Sequence, residues 1–414
     1  MSTPAAVNWA GNLTFSAVRL THPASLDELC ELVVASDQVR ALGAGHSFSA
    51  VADTTGTLVR LDRLPPIIDI DASSLTATVS AGLRYSDIVA TLDAEGFALA
   101  NLASLPHITV AGAAATGTHG SGDRLRNLAD AVVALRIIPA DGEPVWLRRG
   151  DPDFPGAVVA LGALGIVTDV CLRVEPAFEV AQEVRLDVPL DEIAESWDEV
   201  FAAAYSVSAF TSYGDGRANV FLKHRAGAAG SGWSGGRTAK APVHPIPIGD
   251  PAACTQQLGV PGPWYERLPH FRADAVPSAG NELQSEFFVA RPDAPAALEA
   301  LRGIADRVAP VLQISELRMV AADDQWLSPA YGRDCVAFHF TWIRDTPSVL
   351  PVVEAVEKAL LPLGARPHWG KVSTAETSEI VSRYPRAAQF ASLRRRFDPA
   401  GTFANAYTRE LFPS

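Results

Sequence analysis

Side chains that could do chemistry gather in a few short stretches of this sequence. Glu316-x-Arg318 and His339-x-Thr341 each set two functional groups two residues apart, the spacing that puts them on one face of a β-strand. Their neighbours Ile314, Leu317, Met319 and Val320, and Val336, Ala337, Phe338 and Phe340, mark both stretches as core strands. An unpartnered polar group there costs about 1 to 3 kcal/mol, so these groups need partners or a ligand. Gln284-x-Glu286 repeats the pattern more weakly, with Gln284 the better candidate for touching a substrate. Lys371 adds an ammonium just past His368-Trp369-Gly370. Such a set can hold several hydroxyls and stabilise negative charge developing on a substrate oxygen. Lys371, His339 and a water stay open as proton acceptors. On spacing alone Glu316 and Arg318 could instead be half of a surface ion-pair ladder, and His339 a satisfied core histidine.

A second kind of chemistry is suggested by Gly43-Ala44-Gly45-His46-Ser47-Phe48, where an imidazole sits in a loop otherwise built for close backbone approach. A Rossmann turn would need a third glycine where Phe48 stands, and a Walker loop would need Gly-Lys-Ser or Gly-Lys-Thr. His107 and His119 offer no metal site, because small apolar residues surround them and no third ligand is at hand. What remains is a phosphate-binding glycine loop that carries a nucleophile. On the loop alone His46 could equally cap a backbone group. Residues 101–122, almost all small, form a second segment suited to lying against a large flat ligand.

The elements that must position these groups alternate. Ser25-Leu26-Asp27-Glu28 has the form of a capping box and opens a helix reaching about Ser36. Strands are expected over 39–42, 58–61, 75–80, 129–138, 145–147 and one entered through 162–168 and ending near 176, with a helix from Tyr85 or Ser86 to before Gly96. Beyond Phe178, strands at 184–188, 220–223 and 282–289 alternate with helices at 190–203 and 294–309. Residues 226–270, rich in Gly, Pro and Ser, read as a long structureless loop, functional or mobile. With 414 residues the chain exceeds one ordinary core. The expected division is 1–177 as a first domain of two α+β lobes, 178–373 as a substrate domain, and 374–414 returning to the first.

The formal charge of −13 argues against nucleic acid or an anionic membrane as partner, which both need clustered Lys and Arg. Cys30, Cys171, Cys254 and Cys335 are scattered singly and read as reduced thiols. The N-terminus has no basic, apolar leader and no run of 18 apolar residues occurs, so a cytoplasmic protein with no membrane segment is expected.

Six segments in order, "NLASLPHITVAGAAATGTHGSG", "GPWYERLPHFR", "ELQSEFFV", "ISELRMV", "AFHFTW" and "RPHWGK", with the GAGHSF loop, resemble the alditol oxidase and xylitol oxidase group of vanillyl-alcohol-oxidase type FAD flavoproteins. The resemblance runs over essentially the whole chain. It implies an α+β fold: a two-lobed FAD-binding domain with an inserted α+β substrate domain. It implies FAD bonded covalently through His46 to the flavin 8α-methyl carbon. Cofactor contacts would come from Ala41, Leu42, Gly43, Ala44, Gly45, His46 and Ser47, from Ser104, Gly112, Thr116, Thr118, His119 and Gly120, from the backbone near Ile166, and from Asn405 or Tyr407. Glu316, Arg318, His339, Thr341 and Lys371 would be catalytic, with Ser104, Gln284 and Tyr85 lining the substrate pocket. The implied reaction oxidises the terminal hydroxyl of a polyol such as xylitol or sorbitol by hydride transfer to flavin N5, with O2 as acceptor and hydrogen peroxide as product, in a monomer. Alternatives within the fold are an aldonolactone oxidase and a dehydrogenase using another acceptor. A non-catalytic binding protein is the further rival, which a pocket of four ionisable groups disfavours.

Overall fold

Ser25 caps the first helix, Leu26–Val34, as its side chain requires: the hydroxyl accepts from Glu28 N at 3.1 Å. The helix stops at Val34, short of Ser36, whose hydroxyl instead donates back to Leu32 O. In this computed structural model, which describes residues 6–228, 232–247, 249–275 and 281–413, that helix flanks a small parallel sheet. Thr57–Val59 is its central strand, between Arg19–Thr21 and Val39–Ala41. Residues 1–5 of the N-terminal reading, and 229–231 and 248 of the Gly-rich stretch, lie outside the described residues.

The second lobe is an antiparallel five-stranded sheet in the order Ile68–Asp71, Thr76–Ser80, Ile166–Arg173, Val132–Ile138, Val145–Arg148. Tyr85–Ala94 packs against it. Within the small-residue segment, Val110–Ala115 forms a short helix whose Val110 and Ala113 are buried in the lobe's core.

All strands of the third, antiparallel sheet fall between Glu179 and Pro367. Its centre is Ser206–Thr211, Leu312–Val320, Cys335–Ile343 and Glu282–Ala290, side by side in that order. Period-two alternation gives these strands two unlike faces. Leu283, Phe287, Leu317, Phe338, Phe340 and Trp342 turn to one side and pack with Leu298 and Leu301 of Ala294–Arg302 and Val353 and Val356 of Thr346–Leu360. Burying each of the large side chains contributes roughly 1.5 to 3 kcal/mol. Glu282, Gln284, Glu286, Glu316, Arg318, His339 and Thr341 are the alternate residues, on the other side.

Both long helices expected here are broken. Ser196 (φ −117°, ψ 35°) divides Leu190–Glu195 from Trp197–Phe201. Gly303 and Ile304 divide Ala294–Arg302 from Ala305–Val308, since glycine is among the weakest helix formers. The C-terminal helices Ala387–Phe397 and Ala406–Leu411 return to the N-terminal lobes, where Phe390, Leu393 and Leu411 share a core with Val79, Val110 and Leu135. Among the described residues no helix is long and apolar enough to cross a membrane.

Candidate active site

A cavity of about 670 Å³ opens between the N-terminal lobes and the polar face of the large sheet. That volume lies in the range of sites that hold a cofactor or a drug-sized ligand. One wall is the GAGHSF loop and the small-residue segment. They interlock at Thr109: a Cβ on Gly43 would lie 2.3 Å from its hydroxyl, and one on Gly112 2.7 Å. Gly45 turns the loop at φ +73°, a region open to glycine. The His46 ring stacks on Trp9 with centroids 4.8 Å apart, and among the described residues neither ring nitrogen takes a hydrogen-bond partner. Burial, with the Lys371 ammonium nearby, pushes His46 down to about 4. At neutral pH the ring therefore keeps a free lone pair, as a nucleophile must.

The loop is tied to the fourth chemical segment. Phe48 N donates to Gly370 O at 2.7 Å and Ser49 Oγ to Trp369 O at 2.6 Å. His368 Nδ1 accepts from Gly370 N at 3.0 Å, which closes the turn that presents Lys371.

The opposite wall is a row of charge. Strand register sets Glu316 opposite His339 and His339 opposite Glu286, while Thr341 faces Gln284. Glu286 Oε1 accepts from Arg318 Nη2 at 2.5 Å and lies 3.1 Å from His119 Nε2 and 3.6 Å from His339 Nδ1. Burial alone would raise this carboxyl, but Arg318 and His119 outweigh it and hold Glu286 well below the usual range. Glu316 is likewise held low against its burial by Arg318 and His270, and lies 3.6 Å from Arg318 Nε and 3.1 Å from His270 Nε2. Arg318 Nη1 reaches Ser104 Oγ at 3.4 Å, joining the two walls. Burial pulls Lys371 down to about 8, against the pull of Glu286, and its Nζ donates to Gln284 Oε1. Burial also lowers His339, whose Nε2 is 3.3 Å from Thr341 Oγ1.

Of the residues expected from the sequence, Ala41 to Ser47, Ser104, Gly112, Thr116, Thr118, His119, Gln284, Glu316, Arg318, His339, Thr341 and Lys371 all line this one cavity. Five others stand off it. Tyr85 opens a helix and is 2% exposed inside the lobe's core, with its phenol pushed upward by burial, so it is not a wall of the pocket. Gly120 packs on Asn101, and Ile166 joins the cluster of Leu29, Val39 and Phe403 while its neighbours Gly165 and Val167 reach the cavity. Asn405 Nδ2 donates to the carbonyls of Ala50, Val51 and Asp53, and Tyr407 Oη to Trp369 O. Both therefore buttress the loop's far end. His270, His368 and Glu282 also line the cavity without having been singled out. The period-two pattern of Glu282, Gln284 and Glu286 carried part of that signal, whereas nothing local marks His270.

Residues 17–148 match the FAD binding domain family, and residues 281–411 match the D-arabinono-1,4-lactone oxidase family. The chain is 49% identical to an alditol oxidase of Streptomyces sp. (strain IKD472 / FERM P-14339), over 99% of each chain. It is 28% identical to an L-gulono-1,4-lactone dehydrogenase of Mycobacterium tuberculosis, over 98% of each. In fold it is similar to the crystal structure of cholesterol oxidase from B. sterolicum, with a TM-score of 0.81 at 14% identity over 99% of this chain and 96% of that one. A glycine-lined wall facing a wall of buried charge, in a chain this similar over its full length, belongs to the alditol oxidase family of FAD-binding flavoproteins.

Proposed function

We propose that this chain oxidises the terminal hydroxyl of an alditol to an aldose, with 1–177 and 374–414 holding FAD and 178–373 holding the substrate. The observation that carries the reading is the row of Gln284, Glu316, Arg318, His339, Thr341 and Lys371 on one wall of a single cavity, facing the GAGHSF loop. FAD, when bound, supplies the hydride acceptor and, through molecular oxygen, a route back to its oxidised form with release of hydrogen peroxide. Glu316, Gln284, Thr341 and Ser104 bind successive hydroxyls of an extended polyol. A site that satisfies its own buried groups through substrate hydroxyls rejects analogues lacking them. Arg318 and Lys371 stabilise negative charge on the reacting oxygen. His339, kept neutral by burial, takes the hydroxyl proton.

His46 is the residue proposed to bond the flavin. Its free, unprotonated ring supports this, and the test is a denaturing gel: wild type should keep a fluorescent band that His46→Ala loses. A wild-type band without fluorescence overturns the linkage. Four free cysteines agree with a cytoplasmic setting. The monomer reading is tested by light scattering.

The substrate reading is tested by a screen of polyols, aldonolactones and one-hydroxyl alcohols, following peroxide in air and dye reduction without it. Xylitol and sorbitol should lead, glycerol should be weak and plain alcohols nearly inert. Because residues 281–411 match the lactone oxidase family, an aldonolactone is the specific rival, and faster reduction by it would replace the alditol reading. Dye reduction without peroxide would make the chain a dehydrogenase.

A further inference from the structure

The Gly-, Pro- and Ser-rich stretch ends at His270, and its last residues are held by a lysine buried to 1% exposure. Lys223, on Arg217–Arg225, donates from Nζ to the carbonyls of Leu268 and Pro269 and lies 3.4 Å from His270 Nδ1. The Glu316 carboxylate can only accept, so the ring hydrogen of neutral His270 sits on Nε2 and the Nδ1 lone pair faces Lys223 Nζ. Nε2 faces Glu316 Oε1 at 3.1 Å and Ser208 Oγ at 3.3 Å. Phe210 and Phe221 meet the ring edge-on, with centroids 5.2 and 5.8 Å away, and fix its plane. One oxygen of Glu316 is thereby held by a fixed donor, and the other, Oε2, lies 3.6 Å from Arg318 Nε.

We infer that Lys223 and His270 are a positioning pair for substrate: the lysine fastens the backbone that carries His270, and His270 aims the Glu316 carboxylate at a polyol hydroxyl. This rests on the reading of Glu316 as a substrate-binding carboxylate. Neither residue touches the reacting carbon; both act through Glu316. Residues 268–270 thus have a role of their own, delivering an imidazole to the row of charge.

The test is a double-mutant cycle on the flavin-loaded enzyme. It reads the Kd of xylitol for dithionite-reduced protein, with kcat and KM measured separately in air. His270→Phe fits between the two phenylalanines and should raise Kd and KM about tenfold or more while kcat changes less than about threefold. His270→Gln, which keeps an N–H near the position of Nε2, should recover most of the loss. In a Glu316→Gln background, His270→Phe should add less than about a twofold effect. Lys223→Met should shift Kd in the same direction, and if it does not fold the two His270 variants still decide. An effect of His270→Phe that multiplies in the Glu316→Gln background, or none in wild type, overturns the pair and leaves Glu316 as a substrate ligand. Unchanged xylitol affinity in Glu316→Gln alone removes that role and the inference with it.

Discussion

The two walls of the cavity are built on opposite principles. The loop wall is made of glycine, alanine and threonine, and it offers backbone: its shape comes from side chains that are missing, as where Thr109 fills the space that Gly43 and Gly112 leave. The sheet wall offers side chains, and nearly all are charged or hydrogen-bonded on strands buried over most of their length. Apart from its imidazoles, the first is damaged by adding atoms. The second is damaged only by removing them, because each lost group strands a buried partner.

That contrast can be broken from the charged side first. Arg318→Ala and Lys371→Met should each slow anaerobic flavin reduction at saturating xylitol about a hundredfold or more, the usual loss for one donor to a developing oxyanion. Stopped-flow traces that match wild type in both would move the chemistry elsewhere. Arg318→Ala should also destabilise the protein by about 3 to 5 kcal/mol in urea, since Glu286 and Glu316 lose their shared cation. On the loop side, Gly43→Ala should cost about 1 to 3 kcal/mol and lower FAD content, and Thr109→Ala in the same chain should restore both. If the second change restores nothing, the interlock is not what limits that wall.

A pH series sharpens the comparison with a smaller effect. Lys371 is held down to about 8, so its ammonium is present below that pH and lost above it. The rate of flavin reduction should therefore fall as pH rises through about 8, and Lys371→Arg, whose guanidinium stays charged, should flatten that limb. Thr341→Val should be mildest: removing one hydroxyl beside His339 is worth about 1 kcal/mol and should appear as a severalfold rise in KM with kcat nearly unchanged.

The loop wall was largely legible in the sequence, because small residues in a run and a glycine pair just before His46 are local signals. So were Glu316, Arg318, His339 and Thr341, whose alternation is fixed by the strand itself. Their partners were not. Glu316-x-Arg318 invites a pairing within one strand, yet the shorter contact of Arg318 crosses a neighbouring strand to Glu286. Register makes that reach possible by setting Ala337, too short to block it, opposite Arg318. Such register is decided by the whole sheet, and so are Lys223 and His270, which meet across 47 residues. Tyr85 misled because an aromatic at a helix start serves a core as well as a pocket. The helix break at Gly303 is carried by the glycine itself, whereas no periodicity within 190–203 reveals the one at Ser196.

The ties around His46 also bear on how the protein is made. The loop is held by Trp369 and Gly370, and the turn that follows it, Ala50 to Asp53, is held by the side chain of Asn405. A ribosome releases His46 long before any of those residues exist. While the chain is being synthesised the glycine loop has no floor, so FAD loading, and with it the proposed bond to His46, has to wait for the C-terminal helices to dock. Loading then works as a checkpoint on synthesis: a chain truncated before Asn405 would emerge with His46 present and its cofactor site unformed.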